Sequence, residues 1–312
     1  MDIVEKRICL VNEERIVSIS VPGTADASLR VRRFTSAAGG PAVLLLHGLG
    51  ERGAVFCPAG GTGLAPWLAD AGYDVYVPDL RDRATDSAPV PDISQFQLIC
   101  EDLPALYELI AGEHPGERFA IIAHGWGGVL AASALIRQPA WLEHIAGLIH
   151  IGVRRVCHQR NWQRRLLLDV MWKRLAPLAG RRHGFVPLSR LGLGSADLSL
   201  RLHADSQLWQ NGGNWRDPQD SFDYAAALAA IRWPSSLYLA GYKDHCMGHF
   251  ADVKAFAREL GSHDAQLVLL RKGIGSARDY GHLDVLTHPQ AVNDHFPLML
   301  AWLARQTDAD TP

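Results

Sequence analysis

Residues 121–128, IIAHGWGG, form the stretch that decides the fold. Apolar residues lead into a turn, and glycines follow at the place where a helix would start. Short apolar runs bounded by glycine are typical of buried strands, so the stretch predicts a strand, a sharp turn and a helix. A turn of this kind presents the residue at its tip, and here that residue is Gly125, which has no side chain. The sequence therefore has a turn suited to a reactive group and lacks the group itself.

On both sides of this stretch, short apolar runs alternate with segments of helical periodicity. The apolar runs span residues 42–48, 73–80, 119–125, 146–153, 235–244 and 266–273, and the helical segments span 63–72, 93–114, 128–138, 250–261 and 289–306. Strands that are apolar on both faces indicate a parallel sheet covered by helices. The opening runs 8–11, 15–21 and 29–34 alternate more, which indicates an antiparallel edge. We predict an α/β fold with a mostly parallel sheet flanked by helices.

One segment, residues 154–224, contains no strand-like run and is dense in arginine. Within it, residues 161–180 place apolar side chains near helical spacing among cations: Trp162, Leu166, Met171, Trp172, Leu175 and Leu178. We predict a helical cap, or lid, inserted over the sheet edge between the two parts of an α/β core, 1–153 and 225–312. The same pattern fits an amphipathic helix packed on the core, or a lid that meets a lipid-like substrate or a membrane surface.

Composition and charge exclude several classes of protein. The net charge of −2 and the isoelectric point near 6.7 give no sign of a nucleic-acid partner. Charges interrupt the first fifteen residues, which argues against a signal peptide and favours a cytoplasmic protein. The five cysteines are scattered without a CxxC pair, so neither a disulfide framework nor a zinc site is predicted. We predict no metal and no cofactor.

Several short motifs with polar residues lie at the ends of predicted strands or before the last predicted helix. HGLG (47–50), HGWGG (124–128) and KDH (243–245) each end a strand, and GHLD (281–284) precedes the last helix. Ligands of open α/β sheets bind beyond the carboxyl ends of the strands. Together with GYDVYVPDLRDR (72–83), these motifs cover nearly the whole chain, which resembles the α/β-hydrolase superfamily in its esterase and lipase-like branch.

The resemblance implies roles for particular residues. Gly125 stands where the family has its nucleophilic serine, Ala123 stands where the first elbow glycine usually lies, and Asp244 and His282 match the acid and the histidine. The oxyanion hole would be formed by the amides of Leu49 and Trp126. The residues expected to contact a ligand are His47, His124, Trp162 and Trp172.

Three hypotheses follow from Gly125. In the first, the chain binds an acyl or lipid-like ligand with little or no serine-type turnover. In the second, it is a cofactor-independent enzyme that uses His282 and Asp244 as a general base. In the third, the natural protein is an ordinary serine esterase or lipase, and glycine was introduced at residue 125 in place of its serine. Cys57 and Cys246 lie near strand ends and are weaker candidates for a substitute nucleophile. Besides a small acyl or ester-like ligand, the arginine-rich cap suggests an anionic membrane or protein surface as a partner.

Overall fold

The computed structural model describes residues 13–21, 28–35, 39–58, 63–81 and 92–307, and its centre is a nine-stranded sheet. The strands are β1 (Glu13–Ser20), β2 (Ser28–Thr35), β3 (Ala42–Leu46), β4 (Asp74–Asp79), β5 (Phe119–His124), β6 (Ile145–Ile151), β7 (Ser236–Gly241), β8 (Ala265–Lys272) and β9 (Gly275–Ser276). They lie in the order β1-β2-β4-β3-β5-β6-β7-β8-β9.

The sheet is mixed. Strands β1 and β2 pair with each other antiparallel, and β2 pairs antiparallel with β4. From β4 through β3 to β9 all pairings are parallel. The predicted fold class and its antiparallel edge are therefore confirmed. The predicted run at 8–11 lies outside the described residues.

Helices cover the two faces of this sheet. The α-helices are α1 (Leu64–Asp70), α2 (Gln95–Gln97), α3 (Leu103–Glu113), α4 (Trp126–Arg137), α5 (Trp162–Arg164), α6 (Ala176–His183), α7 (Leu200–Gln210), α8 (Tyr224–Leu228), α9 (Phe250–Glu259), α10 (Asp284–Thr287) and α11 (Phe296–Thr307). Two π-helical stretches connect α2 to α3 (Leu98–Asp102) and α5 to α6 (Arg165–Leu175), and short 3-10 helices span Gly53–Val55, Pro139–His144 and Pro289–Asn293.

Alternate residues of the central strands face two separate cores. In β5, Ile121 packs in the core that contains α3 and α4, whereas Ile122 packs in the core that contains α1 and α11. This alternation follows from the two-residue period of a strand. Because both faces are covered, β3, β5, β6 and β7 are buried along their whole length. The apolar runs of the sequence reflect this double burial.

Two predicted elements differ from the structure. The run at 266–273 forms β8, but most of its residues are partly or fully exposed because only the two-residue β9 covers its outer edge. The predicted helix 289–306 is divided, with a 3-10 turn followed by α11 from Phe296. The break lies at Asp294, whose backbone leaves the helical region and whose carboxylate accepts hydrogen bonds from the Tyr280 hydroxyl and the Ala277 amide.

Residues 154–224 connect β6 to β7 and contribute no strand to the sheet. Trp209 and Trp215 are buried, so part of this segment belongs to the main core. The proposed limits of a separate cap remain a prediction. Among the described residues, none of the helices has the length and apolar character needed to cross a bilayer.

Candidate active site

The turn between β5 and α4 depends on its glycines. Gly125 has φ 50° and ψ −125°, a conformation that L side chains rarely adopt. A Cβ on Gly127 would lie 2.4 Å from the carbonyl oxygen of His47, so glycine at this position lets α4 approach β3 closely. The two glycines allow a sharp turn that brings the start of α4 next to the end of β3.

Asp244 and His282 meet beyond the carboxyl ends of the strands. Nδ1 of His282 donates a 2.6 Å hydrogen bond to Oδ2 of Asp244, which is 4% exposed. The amide of Met247 donates to Oδ1 of the same carboxylate at 2.8 Å. Burial opposes ionisation of Asp244, but the neighbouring His282 and the backbone amides outweigh it and lower its pKa to about 2. The carboxylate therefore stays charged and orients the imidazole.

Nε2 of His282 lies next to Gly125. A Cβ built on Gly125 would lie 3.4 Å from this nitrogen, 3.7 Å from Cε1 of the same ring and 3.8 Å from Cα of Gly48. These are ordinary contacts, so a small side chain fits there. Among the described residues, no hydroxyl or thiol is hydrogen-bonded to Nε2 of His282. Cys246 is buried, and a hydrogen bond with Cys157 together with burial raises the pKa of its thiol, while the thiol of Cys57 donates to the Gly53 carbonyl.

The amides of Leu49 and Trp126 share a cavity with Gly125 and His282. In the part of the chain that the structure describes, neither amide donates to a protein acceptor, and Trp126 is the first residue of α4. Unpaired amides at a helix start favour a developing negative charge. The oxyanion hole at Leu49 and Trp126 remains a prediction.

A second buried pair of a histidine and a carboxylate supports the site, and it was not predicted from the sequence. Nδ1 of His124 donates to Oε2 of Glu51 at 2.8 Å, and its Nε2 donates to the carbonyl of His282 at 3.0 Å. Because both ring nitrogens face acceptors, His124 is an imidazolium. Burial opposes charge on Glu51, but His124 outweighs it and lowers the pKa of Glu51 to about 2. The signal in the sequence was the acid directly after HGLG.

Glu51, His124 and His282 bring three potential metal-ligand atoms within 4.8 Å of one another. However, both nitrogens of His124 are already hydrogen-bonded, and Nδ1 of His282 is bonded to Asp244. Binding a metal through His124 would require one of these bonds to break. The cluster therefore fits an ion pair that holds the loops together better than it fits a metal centre.

The cavity above these groups has a volume of about 580 Å³, and apolar residues dominate its lining. Its lining includes Leu167, Leu168 and Trp172 from the π-helical stretch between α5 and α6. Leu193 contributes from the loop between α6 and α7. A cavity of this size with few polar groups is typical of a small-molecule site.

Of the residues predicted to contact a ligand, only Trp172 lines this cavity. Nε2 of His47 accepts from the amide of Leu80, so its ring joins β3 to the end of β4. His124 is occupied by its ion pair with Glu51. Trp162 is the first residue of the short helix α5, and its side chain is 70% exposed to solvent.

Comparisons with known proteins agree with this architecture. The family model of the alpha/beta hydrolase fold matches residues 41–289. A thermophilic esterase from Thermogutta terrifontis is 16% identical with a TM-score of 0.57, covering 94% of this chain and 99% of that chain. An esterase from Exiguobacterium antarcticum is 16% identical with a TM-score of 0.60, covering 92% and 98%. A putative ancestral haloalkane dehalogenase is 18% identical with a TM-score of 0.57, covering 94% and 99%.

No curated protein sequence matches the chain. The similar solved structures are all under 25% identical to this chain, so they show the fold alone. Membership of the family rests on the family model. Since that model covers most of the chain, from β3 to the 3-10 turn before α11, the chain belongs to the α/β-hydrolase fold family.

Proposed function

We propose that this chain binds an acyl or ester-like ligand in the pocket of an esterase or lipase-type scaffold, with little or no serine-type turnover. The observation that carries the proposal is Gly125, which faces the Asp244–His282 pair and has no side-chain oxygen. Serine-type catalysis needs a hydroxyl at this point to form an acyl-enzyme. Loss of that hydroxyl from a triad costs about six orders of magnitude in rate.

The rest of the site supports ligand binding. Leu49 and Trp126 offer free amides for a carbonyl oxygen, and the apolar walls suit a hydrocarbon chain. A pocket that buries most of a small ligand gains free energy roughly in proportion to the apolar area removed from water. Binding therefore does not depend on the missing oxygen.

The test is hydrolysis of p-nitrophenyl octanoate by the purified protein and by a His282→Ala variant. We expect both proteins to match the uncatalysed rate, because no nucleophile stands at residue 125. Turnover well above background that disappears in His282→Ala would contradict the proposal.

A second candidate is an enzyme that uses His282 and Asp244 as a general base on water or on a substrate proton. The observation that favours it is Nε2 of His282, which has no bonding partner among the described residues although Asp244 orients the ring at 2.6 Å. This candidate predicts slow, His282-dependent turnover without an acyl-enzyme. A fluorophosphonate would then leave the protein unlabelled, since no nucleophile is present.

We also propose an anionic lipid surface as a partner of the cap segment. Between residues 162 and 183, five apolar side chains are unusually exposed among arginines: Trp162, Leu166, Val170, Leu175 and Leu178. Apolar side chains interleaved with cations are typical of helices that lie in a membrane interface.

A further inference from the structure

Arg154 follows β6 by three residues and lines the cavity beside the Asp244–His282 pair. Its side chain is deeply buried, since the residue is only 4% exposed. Nε donates to the carbonyl of Cys246 at 3.1 Å, whereas Nη1 is buried without any hydrogen-bond partner. No described carboxylate lies within ion-pair distance of this guanidinium.

The next residue, Arg155, is a buried arginine whose hydrogen-bonding groups are paired within the protein. Arg155 is 6% exposed, and its guanidinium pairs with Glu259 and donates to the carbonyls of Trp209 and Gly213. A buried charge without a counterion is costly, because desolvation is not repaid by attraction. Arg154 bears that cost at the wall of a ligand cavity, which indicates that a ligand supplies its counterion.

We propose that the ligand of this pocket carries a carboxylate on an apolar body, and that Arg154 pairs with that carboxylate. The proposal rests on the proposed use of the cavity as a ligand site, but it is independent of whether turnover occurs there. It narrows the ligand from any acyl or ester-like molecule to one with a negative charge. Arginine suits this task because its guanidinium is always charged and its N–H groups form strong hydrogen bonds to a carboxylate.

The charge balance of the cavity favours a carboxylate over a phosphate. Glu51, the acid that also lines the cavity, is neutralised by His124. Among the residues that line the cavity, Arg154 is thus the cation without a carboxylate partner, and it balances one negative charge. A phosphate monoester carries nearly two charges at neutral pH, so it would leave an excess negative charge among apolar side chains.

Cys157 is the competing counterion. A hydrogen bond with Cys246 and the nearby Arg154 lower the pKa of its thiol. A pH of 6 favours the protonated thiol over the thiolate, whereas an alkyl carboxylate remains ionised. Experiments at pH 6 therefore disfavour a thiolate partner for Arg154.

The test is titration calorimetry at pH 6 with octanoate and octanamide, which match in size and differ in charge. We expect the protein to bind octanoate about ten-fold or more tightly than octanamide, as for hydrogen bonds to a charged group. Arg154→Met should abolish this preference, and Arg154→Lys should keep part of it. Arg190→Met, which removes the same charge from an exposed position, should leave the preference unchanged.

Each other outcome overturns the proposal. It fails if octanoate binds no more tightly than octanamide, if neither binds, or if Arg154→Met keeps the preference for octanoate. Octyl phosphate that binds more tightly than octanoate would overturn the choice of a carboxylate. If Arg154→Met does not fold, Arg154→Lys takes its place, and a preference for octanoate as large as that of the parent protein then counts against the proposal. Ester hydrolysis, by contrast, would overturn only the proposed lack of turnover.

Discussion

At the scale of single residues, Gly125 combines a strained backbone with open space for a side chain. Its φ of 50° disfavours any other residue, but a Cβ would meet nothing closer than 3.4 Å. Gly116 is a useful comparison because it is a surface glycine that also has a positive φ, 78°, and a Cβ built on it would have no atom within 4 Å. Backbone strain is therefore common to both positions, and crowding is absent from both.

We predict that Gly125→Ala and Gly116→Ala each lower the free energy of unfolding by about 1–3 kcal/mol, because both residues have a positive φ. Urea unfolding at equilibrium measures both. A loss for Gly125→Ala far above this range would contradict the open space beside His282.

The pair of Glu51 and His124 predicts a pH-dependent stability. Burial opposes charge on His124, but Glu51 outweighs it and raises the pKa of the imidazole. A raised histidine pKa stabilises the folded state fully below the unfolded value near 6.5, and this contribution is lost as the pH rises through the folded pKa. Glu51→Gln removes the countercharge, so we expect a loss of about 3 kcal/mol at pH 5.5 and a smaller loss at pH 9.

Urea unfolding at the two pH values tests this prediction. Glu113→Gln is the control, because Glu113 forms an exposed pair with Arg33 and should change stability by less than about 1 kcal/mol. An equal loss at both pH values for Glu51→Gln would show that His124 is not held as an imidazolium.

The sequence could point to Asp244 and His282 because Asp244 lies in a short motif at a strand end and His282 lies in a short motif before the last helices. It could not predict the pairing of Glu51 with His124 or the isolation of Arg154. Glu51 and His124 are 73 positions apart, and Arg154 meets Cys246 over 92 positions. Such contacts arise only when strands that are distant in sequence become neighbours in the sheet.

At the scale of elements, the approach of α4 to β3 places the start of a helix next to the HGLG turn. We predict that Gly127→Ala destabilises the protein by more than about 2 kcal/mol, since its Cβ would lie 2.4 Å from the His47 carbonyl oxygen and neither backbone can easily move. Thermal and urea unfolding measure the change.

Gly112→Ala provides the matched control. Gly112 also lies in a helix, α3, but nothing stands within 4 Å of its Cβ position. Alanine is the better helix former by up to about 1 kcal/mol, so this variant should be as stable as the parent or more so. If both variants behaved alike, the close packing of α4 on β3 would be wrong.

Helices and strands were predictable from the sequence where burial alone determined the pattern of apolar residues. The buried strands β3 to β7 followed from continuous apolar runs, because helices cover both faces. The exposure of β8 and the break before α11 were not predictable from periodicity. The first depends on which strand ends the sheet, and the second depends on Asp294 bonding to Tyr280 rather than continuing a helix.

At the scale of the whole molecule, the exposed apolar side chains of the cap segment predict binding to anionic lipid. We expect the protein to sediment with vesicles of phosphatidylglycerol and phosphatidylcholine, and less so in high salt, because arginines contribute to the attraction. Replacing Trp162 and Leu178, which are 70% and 63% exposed, by serine should weaken binding several-fold.

Ile274→Ser is the control for that experiment. Ile274 is 62% exposed but lies between β8 and β9, away from the cap segment. Equal weakening by Ile274→Ser, or no binding to these vesicles at all, would refute a lipid surface as the partner. The sequence showed the arginines and the apolar spacing, but only the structure shows which of these side chains remain uncovered.

The central claim is that a poised hydrolase site lacks only its attacking oxygen. Fluorophosphonate labelling, read by intact-protein mass, tests it most directly on the parent protein, Gly125→Ser and Gly125→Ala. We predict one adduct on Gly125→Ser, located at residue 125, and none on the other two. An adduct on the parent, or a folded Gly125→Ser variant that stays unlabelled, would contradict the claim.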